Sequence, residues 1–142
     1  MKTLAEIEVE VARLAERVAA PSNAYPTFGS TADFAHPHIE VGAGQYHYVV
    51  VERGAEVLRK STSDLHELLY WVFDGVTFSM ACAYELVHRV PGQDFRRLMF
   101  SKQVELLASI DPEMGRRGSE EIAETLRNAP FSDGQLGQVR GY

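Results

Sequence analysis

Residues 38–60 read HIEVGAGQYHYVVVERGAEVLRK, and this stretch decides the fold. Three short runs, 38–41, 45–52 and 56–60, the second with three consecutive valines from Val49, are separated by Gly42, Ala43 and Gly44 and then by Gly54. Tight glycine-containing turns between short strands favour an antiparallel meander. No crossover helix separates the runs, which argues against a parallel sheet. If a four-residue connection joins the first two strands, Val41 faces Tyr46. Ile39, Val41, Tyr46, Tyr48 and Val50 then share one side and pack under helices. His38, Glu40 and His47 share the other, with His36 near its edge.

Working outward, residues 3–20 carry Ile7, Val11, Leu14 and Val18 at helical spacing. Thr3 and Glu6 form a capping box, and Pro21 stops the helix. Residues 21–37 have no period and three prolines, with Tyr25, Phe28 and Phe34 embedded in them. After the strands, residues 64–73 and 77–88 read as two helices broken at Asp74 and Gly75. The second is apolar nearly all round, which predicts a central core position. Asp94 caps a further helix reaching Ile110. Gly115 and Gly118 weaken the next stretch, leaving a short last helix over 120–128. Helices on one face of an antiparallel sheet define an α+β domain. The pattern predicts a single domain over residues 1–131 and a flexible C-terminal tail over 132–142.

The 142 residues are 45% hydrophobic and 10% aromatic, enough for one packed core. A single cysteine, Cys82, allows no intrachain disulfide and no zinc knuckle, and a buried small hydrophobe is its ordinary role. Twenty acidic residues against fourteen basic ones give a net charge of −6. That balance disfavours nucleic-acid binding and favours a basic protein partner. Neither a secretory leader nor a membrane-length apolar run is present in the sequence, which predicts a cytoplasmic protein.

Phosphate loops, HExxH and GxSxG are missing, so no catalytic residue, cofactor or metal is assigned. Two or three imidazoles with Glu40 have the chemistry to hold a divalent metal, but a polar outer sheet face is the simpler reading. Eight residues are candidates for binding a partner. Tyr25, Phe28 and Phe34 offer aromatic anchors in a long loop, and Trp71 beside Tyr70 offers another. Glu52 and Glu56 flank the turn at Gly54 and can face a basic partner. Arg96 and Arg97 sit in the first turn of a helix, where positive charge opposes the dipole and demands compensation. Acids such as Glu85 or Glu67 can supply it, or an anionic patch on a partner.

PHIEV, YHYVVVERG, DLHELLYWVF, VTFSMACAYEL and HRVPGQDFRRLMF together resemble the immunity protein 63 family of bacterial polymorphic toxin systems. The resemblance spans residues 4–131, with Gly115 and Gly118 departing from the family's charged, continuous C-terminal helix. It implies an intracellular α+β protein, not an enzyme, encoded beside a toxin that it binds and blocks without turnover. The cognate toxin domain is unnamed by the resemblance; a basic nuclease domain fits the acidic charge. No functional residues are carried over. A small enzyme with an unrecognised site, or a regulatory protein-binding module unrelated to toxins, are the alternatives.

Overall fold

The computed structural model describes residues 1–134. They cluster into two compact units, Met1–Val76 and the residues from Thr77 on.

The first unit opens with α1 (Leu4–Ala15), held by the capping box that the sequence predicts: Thr3 accepts from the Glu6 amide and Glu6 accepts from the Thr3 amide. A 3-10 turn, Glu16–Val18, follows α1 and ends at Ala19 in the left-handed region. The sheet has four strands in the order β1 (Thr27–Phe28), β2 (Pro37–Gly42), β3 (Gln45–Glu52) and β4 (Ala55–Thr62). β2, β3 and β4 form the antiparallel meander, with Val41 opposite Tyr46 and Ile39 opposite Tyr48. The register is the one read from the sequence.

The purely antiparallel, three-stranded sheet needs correction. β1 adds a fourth strand, parallel to β2, with Thr27 beside His38 and Phe28 beside Ile39. Two residues carry no usable period, and the loop between them and β2 is long enough for the chain to return in the same direction. The two sheet faces also differ from the expected dry and wet sides. Ile39, Tyr46 and Tyr48 are buried on one face as predicted, but His38 and Val49 are buried on the other.

α2 (Leu65–Val87) is a single 23-residue helix, not two. A lone interior glycine costs a helix only about 1 kcal/mol relative to alanine. At Gly75 there is a local reason for it: a β-carbon there would lie 3.1 Å from the Tyr48 hydroxyl. Burial pushes the Tyr48 phenol up to about 12, with the negative charge of Asp74 adding to it.

In the second unit, α3 (Phe95–Ile110) and α4 (Pro112–Asn128) form a helical hairpin. Asp111 accepts from the Glu113 amide, and Pro112 occupies the favoured first position. α4 therefore starts eight residues earlier than the sequence reading, straight through Gly115 and Gly118. Both glycines are buried. A β-carbon on Gly115 would lie 2.6 Å from the Ala108 β-carbon and 2.8 Å from its α-carbon. What reads as helix weakening is close helix packing. The exit of α2 is also less enclosed than its all-round apolar sequence predicts, with Phe78, Leu86 and Val87 exposed.

Gly115→Ala sets helix propensity against packing. Propensity alone favours alanine by about 1 kcal/mol, but overpacking against backbone costs about 1–3 kcal/mol. Chemical denaturation of the variant is expected to show a net loss of stability; a gain would refute the close approach.

Candidate partner-binding site

The most unusual backbone lies between β1 and β2. Asp33, Phe34 and Ala35 have φ of 57°, 56° and 61°, three consecutive non-glycine residues in the left-handed region. Each such residue costs about 1 kcal/mol or more. A dense set of hydrogen bonds offsets the strain. Thr31 Oγ1 accepts from the Asp33 amide at 2.8 Å, and Asp33 Oδ1 accepts from the Phe34 amide at 2.7 Å. Asp33 Oδ2 accepts from the Gly54 amide at 3.1 Å, and the Val51 carbonyl accepts from the Ala35 amide at 3.0 Å. The loop is thereby braced to the tip of the β3–β4 hairpin. The brace holds out Phe34, whose side chain is 91% exposed.

The other loop aromatics behave differently. Tyr25 and Phe28 are half-buried, and the Tyr25 carbonyl lies 2.7 Å from His36 Nε2. Of the three, Phe34 alone is presented to solvent. At the hairpin tip, Glu52 is exposed. Glu56 is exposed too but engaged, accepting from Arg59 Nε at 2.7 Å and Nη2 at 2.8 Å. Phe34 and Glu52 thus belong to one braced corner of the first unit, beside a largely neutralised Glu56.

The histidine-bearing face is a structural network. His38, only 4% exposed, places Nε2 2.7 Å from Glu40 Oε2. Arg59 donates to Glu40 Oε1 at 3.1 Å. The hydrogen bond to His38 and then the Arg59 guanidinium hold the Glu40 carboxyl below the usual range, against partial desolvation. His47 is anchored separately, with Nδ1 2.6 Å from Ser61 Oγ and Nε2 3.1 Å from the Gly42 carbonyl. Among the described residues no group of three or more histidine, cysteine, aspartate or glutamate side chains is arranged to hold a metal ion. His38 Nδ1 is buried without a hydrogen-bond partner among the described residues.

Trp71 is half-buried, with Lys60 Nζ 4.8 Å above its ring. The two arginines at the start of α3 have local partners. Arg96 Nη2 pairs with Asp94 Oδ2 at 2.8 Å and its guanidinium also donates to the carbonyls of Ala129 and Pro130. Arg97 pairs with Asp133 at 2.7 Å and lies 4.1 Å over the Phe131 ring. Asp94 and Asp133 supply compensation, while Glu85 pairs with Arg89. Ser132 donates its amide to Asp94 Oδ2 and Gly134 donates to the Gly92 carbonyl. The first residues of the expected tail are therefore tied down; residues 135–142 lie outside the described ones. Cys82 approaches Met99 Sδ at 3.5 Å, and burial followed by Glu85 pushes its thiol pKa up, opposite to what a nucleophile needs. A cleft of about 320 Å³ between α3 and α4 is lined chiefly by Phe100, Val104, Ile122, Leu126 and Phe131. Its lining is mainly apolar, with Arg97, Ser101 and Ser119 as its polar members.

A family model described as Immunity protein 63 matches residues 42–124, more than half of the chain. The chain belongs to the immunity protein 63 family. No curated protein and no solved structure matches it. In this family member the match covers β3, β4, α2, α3 and most of α4. It is narrower than the resemblance over residues 4–131. Glu52 and the hairpin tip fall inside it, while Phe34 and its loop fall outside. No helix among the described residues is long and apolar enough to cross a membrane.

Asp94 gives a pH test of the α3 clamp. It is 1% exposed, and hydrogen bonds from Arg96, with further help from the Ser132 amide, bring its pKa from 3.8 down to about 2. A carboxylate lowered on folding contributes fully above its unfolded pKa and loses that contribution as pH falls toward its folded one. Thermal melts are expected to show stability draining between pH 3.8 and about 2. Asp94→Asn should cost about 2 kcal/mol at neutral pH and flatten that acid limb. Parallel wild-type and variant curves would contradict the assignment.

Proposed function

We propose that this chain is an immunity protein that binds a cognate toxin domain and neutralises it stoichiometrically, without turnover, in the cytoplasm of the producing cell. Membership of the immunity protein 63 family supplies the class. The observation that carries the binding mode is Phe34, an aromatic side chain 91% exposed on a strained loop braced to the hairpin tip. Exposure removes a packing reason for the residue, and bracing lowers the ordering cost of binding. Aromatic anchors carry much of the energy of protein interfaces, while charged rims speed encounter and set specificity.

In this reading Phe34 enters an apolar pocket on the toxin and Glu52 faces its basic surround. Tyr25, Phe28 and Trp71, half-buried, support the surface more than they contact the partner. Arg96 and Arg97 serve the α3 clamp. A basic toxin, a nuclease domain among them, suits the net charge of −6. The displaced pKa values of Tyr48 and Asp94 come from burial and from an internal ion pair, which supports a structural role for both groups and inhibition over catalysis.

The test is titration of the neighbouring toxin's C-terminal domain with this protein, with the complex weighed by size exclusion. Toxin activity should vanish near a one-to-one ratio. Phe34→Ala should weaken binding by about 2 kcal/mol or more while stability stays within about 0.5 kcal/mol of the parent. Glu52→Lys should chiefly slow association and alter its salt dependence. Full toxin activity at every ratio, with no complex, would overturn the reading.

A further inference from the structure

The sheet has two edges of very different character. β1 offers two residues, whereas β4 offers eight, with Leu58 and Arg59 exposed. The direction of each β4 amide follows from the turns. Arg53 and Gly54 have φ of 54° and 76°, the two-residue turn that closes Glu52 on Ala55 as a hydrogen-bonded pair. Hydrogen-bonded and open pairs alternate from there, interrupted by one extra residue, Val57, opposite the Val50 and Val51 step. The Ala43 and Gly44 turn, with φ of 55° and 73°, independently fixes β3. It leaves Tyr46, Tyr48 and Val50 bonding toward β4. Both turns agree that Leu58, Lys60 and Thr62 bond to β3, while Arg59 and Ser61 aim their N–H and C=O groups away from it.

The side chains keep that edge clear. The Arg59 guanidinium is drawn onto the sheet face by Glu56 and Glu40, and Ser61 Oγ is held by His47. An alternating row of amides and carbonyls is matched by another extended backbone. Antiparallel self-pairing centred on Lys60 sets identical cations opposite each other, which disfavours that register of a second copy. The edge also runs directly from the hairpin tip that Asp33 braces, so it is continuous with the surface presenting Phe34.

We propose that residues 58–62 are a docking edge to which the toxin adds one β-strand, extending the four-stranded sheet across the complex. This inference rests on the toxin-binding reading and specifies its geometry. The incoming strand places neutral or acidic side chains opposite Arg59 and Lys60. Its backbone bonds give affinity with little dependence on its sequence, and Phe34 then supplies the choice of partner.

Amide hydrogen exchange on the wild-type protein, free and in complex with the toxin domain, tests this directly. The Arg59 and Ser61 amides should be open in the free chain and protected in the complex, while Lys60 is protected in both. Ser61→Pro, which removes an outward amide, should weaken the complex about tenfold relative to Ser61→Ala. A complex that forms with Arg59 and Ser61 still exchanging freely would overturn the docking edge and leave the toxin-binding reading standing. No complex at all would overturn both. Concentration-dependent protection of these amides in the protein alone would assign the edge to a second copy instead.

Discussion

Two left-handed, two-residue turns hold the sheet in register, and the placement of its side chains depends on them. With Ala43 and Gly44 closing one hairpin and Arg53 and Gly54 the other, Ile39 must lie beside Tyr48 and Glu40 beside His47. A slip of one residue would carry Tyr46 and Tyr48 to the opposite face and leave His38 on theirs. The second turn has a further duty. Its glycine amide is the anchor for Asp33, so the strained Phe34 loop inherits its position from the same geometry that fixes the sheet.

Much of this was legible in the residues. The alternation of Tyr46, Tyr48 and Val50 set the register, and Thr3 with Glu6 set the first helix. The misreadings share a cause: a local signal overridden by a tertiary contact. Gly75 read as a break but faces the Tyr48 hydroxyl inside a continuous helix. Gly115 read as a weak point but admits Ala108. His38 read as a wet surface group, and its burial depends on packing that period-two alternation does not encode. β1 is too short to announce itself. Among the candidate binding residues, the sequence marked Phe34 without separating it from Tyr25 and Phe28, since exposure is decided by the fold and not by residue type. The partner of Arg97 was missed because Asp133 lies 36 positions beyond it, and that of Arg96 because Asp94 was read only as the helix cap.

Function in this reading comes from what the fold leaves unsatisfied. The family match identifies an immunity protein family without assigning a site. Its matched residues include the open β4 edge but not the Phe34 loop. In the proposed reading the β4 edge grips the toxin through backbone, and the Phe34 loop, outside the matched residues, chooses it. The strain at Asp33, Phe34 and Ala35, offset by the hydrogen bonds that brace the loop, fits that proposal because it fixes the exposed ring before a partner arrives.

The most direct measurement of the central claim is a map of backbone amide chemical-shift changes across the chain as the cognate toxin domain is added. A continuous set of perturbed residues is expected, running from Asp33 and Phe34 through Glu52 and Gly54 and along β4 to Thr62. Perturbations confined to residues from Thr77 onward, with the Phe34 loop and β4 unchanged at saturation, would contradict it.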